Sequence, residues 1–417
     1  MNLKTVKGMQ DLLPEDIWKW QAVEKKLGVI AHSFGFKEIR TPILEDLSLF
    51  VRGVGANTDV VQKEMYAFED QNGDQLCLRP EGTAAVMRAF LQHNLDQAKP
   101  IQKLFYMGPL FRRERPQKGR YRQFHTFGVE ALGKRAPSID VELIVLAFEI
   151  VRAFDVPNPQ LEINSLGNSA SRQAYRKIIY DYFAAFKNDL SEQEQIRLQN
   201  NPMRLLDSKN PKLQDAIAHA PSILDALDDK SKSFFDDVLA GLKPFNLPMR
   251  VNPSIVRGLD YYCDTSFEIM ADGLGSQSTV IGGGRYDSLS EKLGGKAVPA
   301  SGFGMGIERL ILSALRIAPS PQTTVVVLPL DADIEAQTLV IAQNIRAQIP
   351  GFAVHHLPCM GSIKAGLRAA SKYKPKHVVL VGSREIQNKV VAWKDFESGN
   401  QEDINLQSLI KLWKETL

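Results

Sequence analysis

Residues 75–163 carry four short β-like runs, QLCLRP, IQKLFYMGPLFR, QFHTFGVEALG and QLEINSLG, with helix-patterned segments set among them at 83–93 and 140–154. Strands that arrive in runs, with helices inserted rather than alternating one for one, point to an α+β domain around an antiparallel sheet. They point away from a repeated βαβ unit. VIGGGRYD and the apolar run ending at GFGMG return to β texture further on, just before a helical IERLILSALR. The expected sheet is therefore assembled from distant parts of the chain.

At 417 residues the chain exceeds one ordinary core, so two or three domains are expected. Ile17, Trp20, Val23, Leu27, Ile30, Ala31 and Phe34 recur every three or four positions and predict a helix over 16–34, which Gly35 ends. KEIRTPILE reads as extended, because Pro42 forbids a regular helix. Residues 171–242 are polar and helix-favouring and interrupt the β-bearing material, so they read as an inserted helical subdomain. Their charges suit a solvated face, and contact with RNA is the sharper reading. Pro and Ser cluster at APSPQ, which places a linker at 319–322 between a first domain at 1–318 and a second at 323–417. Beyond the linker TTVVVLPL, a helix over 333–348, FAVHHL, a helix through GLRAASKY and HVVLVG alternate. That order predicts a small α/β domain with a mostly parallel sheet.

A hydrophobic content of 44% and a charged content of 24% fit a soluble globular protein. No apolar run approaches the roughly 20 residues that span a bilayer. The opening MNLKTVKGMQDLLPED lacks an apolar signal core, so a cytoplasmic location is expected. Cys77, Cys263 and Cys359 lie far apart without a CxxC spacing, so neither a disulfide framework nor a zinc site is expected. HHLPC, at 355–359, has no further ligand residues near it and reads as an edge strand.

The stretch FRRERPQKGRYRQFH sets six basic side chains against one acid between Arg112 and Arg122, in a chain whose net charge is only +3. A strand ending near Arg112, a loop containing Pro and Gly, and a second strand at RQFHTFGVE would project these side chains from a hairpin. Six like charges repel one another, and guanidinium groups match phosphates in a bidentate fork, so an anionic ligand is expected there.

Taken with PEGT at 80–83, RGLDYY at 257–262, GGGRYD at 282–287 and GFGMGIERL at 302–310, this stretch resembles the class II aminoacyl-tRNA synthetases, and within them the histidyl-tRNA synthetase family. FRRERPQKGRYRQFH is similar to the second class motif and GFGMGIERL to the third, whereas RGLDYYCDTSFE and GGGRYD resemble the two signatures of the histidine enzymes. The resemblance implies a class II antiparallel-sheet catalytic core with a helical insertion, followed by an α/β anticodon-binding domain. It implies activation of histidine with ATP and Mg2+, transfer to histidine tRNA, and a homodimer that buries more than roughly 2,000 Å². The Trp18 segment and KEIRTPILE are the expected interface pieces.

By the same resemblance, Arg112 binds the α-phosphate and Arg309 the triphosphate end, with Glu81 and Arg120 on the ATP side. Arg257 stands between the α-phosphate and the substrate carboxylate, against the plainer reading of a salt bridge with Asp260. Carboxylate attack on phosphorus brings two anions together, and positioned arginines with magnesium offset that charge. An imidazole needs partners for both ring nitrogens in a snug pocket. Glu130, Tyr261, Tyr262 and Tyr286 match the positions that supply them, and Glu81 and Thr83 match amino-acid-binding positions. Family members commonly carry Gln where this chain has Thr126, a shorter group with one donor instead of two toward the substrate amine. Arg115, Gln117, Lys118 and Arg122 match the loop that faces the tRNA acceptor end. Lys364, Arg368, Lys372 and Arg384 are candidates for the anticodon stem.

Gly282–Gly284 and the glycines of GFGMG do not fit a dinucleotide fingerprint, and GGKAV lacks the Walker spacing, so these glycines are expected to clear backbone space beside substrates. Two other classes compete with the ligase. A histidine-sensing regulatory paralogue of ATP phosphoribosyltransferase typically lacks the last domain and erodes the arginine set, yet Arg112, Arg257, Arg309 and residues 323–417 are all here. A general single-stranded RNA binder needs aromatic stacking rows, and Phe111, Tyr121 and Phe124 are too few.

Overall fold

The computed structural model describes residues 3–56, 58–117, 119–208, 210–255, 261–272, 278–315, 317 and 323–415. The chain divides into two compact units, Met1–Pro319 and Ser320–Leu417.

The first unit opens with α1 (Pro14–Ser33), which has proline in its first turn and buries Trp20, Val23, Leu27 and Ala31. Gly35 follows at φ +81°, a conformation that costs glycine little. In chain order come β1 (Lys37–Glu38), β2 (Leu44–Asp46), α2 (Leu47–Val54), β3 (Tyr66–Glu69), β4 (Gln75–Leu78), α3 (Thr83–Gln92), β5 (Gln102–Phe111), β6 (Gln123–Leu132), α4 (Pro137–Ala153) and β7 (Gln160–Ser165). Four helices follow, α5 (Ser169–Ala184), α6 (Glu192–Asn200), α7 (Gln214–Ala218) and α8 (Asp229–Leu242). The unit ends with β8 (Met249–Val251), β9 (Cys263–Met270), β10 (Thr279–Arg285), α9 (Leu289–Lys292), β11 (Ala300–Gly306) and α10 (Ile307–Ser313).

Eight of these strands form one sheet in the order β1-β5-β6-β11-β10-β9-β7-β8. The six inner strands run antiparallel to one another, and only the short edges β1 and β8 join in parallel. This is the antiparallel core expected from the sequence, built around the long hairpin β5–β6. The two faces differ in texture, because side chains alternate along each strand. Phe105, Phe127, Val129, Phe303, Met305, Phe267 and Ile269 point into a core shared with α1, α4 and α10. The opposite face carries Thr126, Gly128 and Glu130 on β6, in register with Gly306, Gly304 and Gly302 on β11.

Residues 171–242 do not pack as one separate body. Tyr175, Ile179, Phe183, Leu198 and Leu213 gather around a second cluster that also holds residues of α3 and Tyr106, Tyr261, Tyr262 and Tyr286. Phe235, Val238 and Leu242 of α8 instead join the main core beside α4. Helical periodicity announces an amphipathic face but not the surface it will meet, so this division was not legible in the pattern.

The second unit contains β12 (Thr324–Pro329), α11 (Glu335–Gln348), β13 (Ala353–His356), α12 (Ile363–Ala370), β14 (His377–Val381), α13 (Ser383–Gln387), β15 (Val391–Asp395), β16 (Gln401–Ile404) and α14 (Leu406–Glu415). Its sheet order is β13-β12-β14-β15-β16. β12 runs parallel to β13 and β14, but β15 and β16 add antiparallel pairs, so the sheet is mixed rather than mostly parallel. The hairpin is set by Asp395, whose carboxylate accepts the N–H groups of Glu397 and Ser398 at 3.1 and 2.8 Å, with Gly399 at φ +76° completing the turn. Among the described residues no helix is long and apolar enough to cross a membrane.

Candidate active site

The strip between β4 and α3 is pinned from both sides. The Arg79 N–H donates to the Ile43 carbonyl at 2.9 Å, and Phe111 N–H donates to the Arg79 carbonyl at 3.1 Å. The buried Arg79 guanidinium donates to the carbonyls of Pro109 and Thr41 at 3.0 and 2.9 Å. Glu81 folds its carboxylate back onto the N–H groups of Thr83 and Ala84 at 2.6 and 2.9 Å, satisfying donors that the first turn of α3 would otherwise leave open. Burial raises the Glu81 carboxyl above its ordinary range, while those N–H groups and the Arg112 charge pull it down.

Glu130 stands at the centre of a buried polar cage. Its carboxyl takes the Thr83 hydroxyl at 2.8 Å, the Tyr106 hydroxyl at 3.3 Å and, from β10's end, the Tyr286 hydroxyl. Burial pushes this carboxyl up to about 8, against the pull of Tyr286 and Thr83. The rings of Tyr261 and Tyr262 lie 4.8 Å apart, and each meets Tyr286, at 5.6 and 6.4 Å. Burial raises the hydroxyls of Tyr106, Tyr261 and Tyr286 well above the usual phenol value, so they remain protonated donors. A Cβ on Gly302 would lie 1.9 Å from Glu130 Oε2, which makes glycine the residue that fits opposite this carboxyl. Over Gly304, by contrast, a Cβ would meet only Thr126 Oγ1, at 4.0 Å. Thr126 itself is buried and donates its hydroxyl proton to the Met305 carbonyl at 3.1 Å.

A second group forms along the hairpin loop. Arg112 Nε donates to the Pro80 carbonyl at 2.8 Å, and the guanidinium lies 5.8 Å from the Phe124 ring centre. Arg120 pairs with Glu114 at 3.1 Å. Arg309 Nε donates to the Thr279 carbonyl at 2.9 Å. Burial and then the Arg120 charge lower the Arg309 guanidinium below its ordinary value, so these two cations sit near each other. Burial and Glu114 raise the Glu64 carboxyl, and Arg112 and Arg120 draw it back. Glu81, Arg112, Arg120 and Arg309 are therefore one electrostatic neighbourhood, contiguous through Glu81 and Thr83 with the Glu130 cage.

The remaining expected residues divide. Arg115 and Gln117 are exposed on the loop. Arg122 is not: its Nε donates to the Glu114 carbonyl at 3.2 Å and its side chain packs on Gly8, where a Cβ would come within 2.8 Å. Lys118, Arg257 and Asp260 lie outside the described residues. In the second unit Lys364, Arg368 and Lys372 are exposed, whereas Arg384 is held between Glu385 and Asp403 at 2.8 and 2.9 Å. His355 and His356 lie on β13, an edge strand, and His356 Nε2 meets the Thr338 hydroxyl at 2.9 Å.

Three contributors were not singled out from the sequence. Tyr106 reaches Glu130 because Leu104, Tyr106 and Gly108 alternate onto the face of β5 that Glu130 shares on β6, a period-two signal present in KLFYMG. Glu308 accepts the His125 N–H at 2.8 Å and so locks α10 to the end of the hairpin. Arg285, fully buried, is neutralised by Asp140 and by Asp287 at 2.9 Å, behind the tyrosines. Glu308 with His125 and Arg285 with Asp140 are far apart in sequence and leave no local signal.

Residues 8–310 match the family described as histidyl-tRNA synthetase, and residues 324–416 match the anticodon binding domain. A histidine–tRNA ligase of Geobacillus sp. is 41% identical over 431 residues, covering 100% of this chain and 100% of that protein. One of Crocosphaera subtropica is 42% identical over 410 residues, covering 98% and 94%. The apo histidyl-tRNA synthetase of S. aureus superposes with a TM-score of 0.82 at 32% identity, covering 99% of this chain and 100% of that one. The chain belongs to the histidyl-tRNA synthetase family.

Proposed function

We propose that the chain acts as a histidine–tRNA ligase whose amino-acid pocket is the cage around Glu130 and whose nucleotide site is the adjoining arginine group. One observation carries this reading: a carboxyl that burial raises to about 8, hydrogen-bonded by Thr83, Tyr106 and Tyr286, beside several guanidinium groups set close together. Glu130 and the tyrosine hydroxyls supply an acceptor and donors for the two imidazole nitrogens. Thr126 spends its proton on Met305. Its oxygen lone pairs remain, and an acceptor is what the substrate ammonium requires.

The histidine carboxylate attacks the α-phosphorus of ATP, taken up with Mg2+, and pyrophosphate leaves. Arg112 and Arg309, with Arg120 and the matching Arg257, offset the charge that builds as the two anions meet. In the second step the terminal ribose hydroxyl of tRNA attacks the acyl carbon and AMP leaves. Arg115, Gln117 and Lys118 face the acceptor end. Lys364, Arg368 and Lys372, spaced four apart on and after α12, offer one basic face to the anticodon stem. Arg384 is already matched by two carboxylates and contributes less.

The working form is a homodimer in the cytoplasm. Ile43 and Leu44, in the KEIRTPILE segment assigned to the twin, are exposed apolar residues, and so are Leu3, Val6 and Leu13 ahead of the Trp18 segment. No observation favours the regulatory paralogue, since Arg112 and Arg309 are present and residues 324–416 match an anticodon-binding domain. The deciding experiment is ATP–pyrophosphate exchange with each amino acid in turn. Exchange that depends on histidine alone is expected, and exchange driven by another amino acid, or none at all, would overturn the reading.

A further inference from the structure

A cleft of about 850 Å³ in the first unit lies between α5, α6 and the 60–64 turn and reaches Tyr262. Among the described residues, Lys63, Arg172, Arg176, Arg197 and Arg204 line it with one acid, Asp59. Arg172 differs from the other four in what it holds. Its Nη1 donates to the Tyr262 carbonyl at 2.6 Å, at the edge of the tyrosine cage, while its buried Nε has no partner among the described residues.

The base of this arginine is rigid. Asn168 caps α5 by accepting the Ser171 N–H at 3.0 Å and donates to Asp228 at 2.6 Å, and Asp228 in turn caps α8 through the Ser231 N–H at 2.8 Å. Just ahead, Leu166 N–H donates to the Asp264 carbonyl at 2.7 Å and Asp264 N–H to the Gly167 carbonyl at 2.9 Å. Gly167 is at φ +62°, with Ser171 Cβ 2.6 Å from where a Cβ would stand, so this turn admits glycine alone. The far end of Arg172 holds backbone rather than a side chain. Tyr262 precedes β9, and Asp264 turns the chain at φ +44°. A shift of the backbone at Tyr262 would carry that ring away from Tyr261 and Tyr286.

We propose that Arg172 is a positioning residue for histidine binding: anchored in the insertion, it fixes the Tyr262 peptide and thereby the tyrosine wall of the pocket. The same guanidinium lines the cationic cleft, so the insertion and the amino-acid site share one side chain. The inference rests on the Glu130 cage being the histidine pocket.

The test is histidine-dependent ATP–pyrophosphate exchange by the full chain, comparing Arg172→Ala, Arg172→Lys and Arg176→Ala. Arg176 lines the same cleft on the same helix but donates to the Asn200 carbonyl instead. The expected result is a rise of about tenfold in the histidine KM for Arg172→Ala, with kcat and the ATP KM within about threefold of the unaltered protein. Arg172→Lys should recover part of the loss, since an ammonium also donates to a carbonyl, and Arg176→Ala should leave all three constants alone. If Arg172→Ala does not fold, the lysine variant against Arg176→Ala carries the same comparison. An unchanged histidine KM, a parallel loss in all three constants, or an equal effect from Arg176→Ala would overturn the proposal. Absence of exchange in the unaltered protein would instead remove the functional reading beneath it.

Discussion

The Thr83 hydroxyl donates to Glu130 Oε1 at 2.8 Å, tying the first turn of α3 to the centre of the antiparallel sheet. Both ends of this bond sit in strongly specified structure, the Thr83 end held by Glu81's cap on α3 and the Glu130 end by its pairing with Gly302. A pocket assembled this way is largely formed before substrate arrives.

The Glu130 carboxyl, near 8 in the folded chain against an ordinary 4.5, gives stability a definite pH slope. Between those values the folded state holds a proton that the unfolded state has lost. The contribution therefore falls as pH rises from about 4.5 to about 8 and is level above that. Glu130→Gln removes this term. Unfolding of the two proteins, measured from pH 5 to 8.5, should show the variant gaining on the parent by an amount on the order of a few kcal/mol. A difference that stays constant with pH would contradict the assignment.

Gly302 and Gly304 should respond differently to alanine. At Gly302 the new methyl would stand 1.9 Å from Glu130 Oε2 and 2.4 Å from the Val129 carbonyl, so Gly302→Ala should lose about 1–3 kcal/mol or more and weaken histidine binding. Gly304→Ala meets only an atom at 4.0 Å and should keep its melting temperature while losing substrate affinity, because the methyl enters the substrate floor. Thermal melts combined with histidine KM values separate the two effects.

Asp140→Ala would leave the Arg285 guanidinium, fully buried, with Asp287 as its remaining carboxylate. Breaking a buried pair by removing one partner costs about 3–5 kcal/mol, so denaturant unfolding should show a loss of that order. A loss below about 1 kcal/mol would mean that Asp287 suffices alone.

Deleting residues 323–417 should weaken affinity for histidine tRNA while leaving histidine-dependent pyrophosphate exchange in place, because the first unit holds its own core and the whole candidate site. Unchanged tRNA affinity would remove the role given to Lys364, Arg368 and Lys372.

The sheet was legible where period and punctuation agreed. Alternation through KLFYM and QFHTF, with a charged loop between them, specified the β5–β6 hairpin, and Trp20, Val23 and Leu27 specified α1. Thr83, Glu130 and Tyr286 could be named from motif resemblance, but Tyr106 and the contacts among the four could not, since strand order and helix placement alone bring them together. The inward turn of Arg122 against Gly8 escaped for the same reason: a basic residue in a charged loop carries no local mark of the backbone that will approach it. In the second unit the β15–β16 hairpin turns at ESGN, and a plain turn sequence does not by itself say which strands it joins.

The most direct test of the account is steady-state pyrophosphate exchange by Glu130→Ala beside Arg112→Ala. The two substitutions should divide by substrate. Glu130→Ala should raise the histidine KM by about a hundredfold and leave the ATP KM near its parent value, while Arg112→Ala should lower kcat by at least about a hundredfold. Equal histidine KM values in Glu130→Ala and the parent would contradict the placement of the imidazole beside that carboxyl.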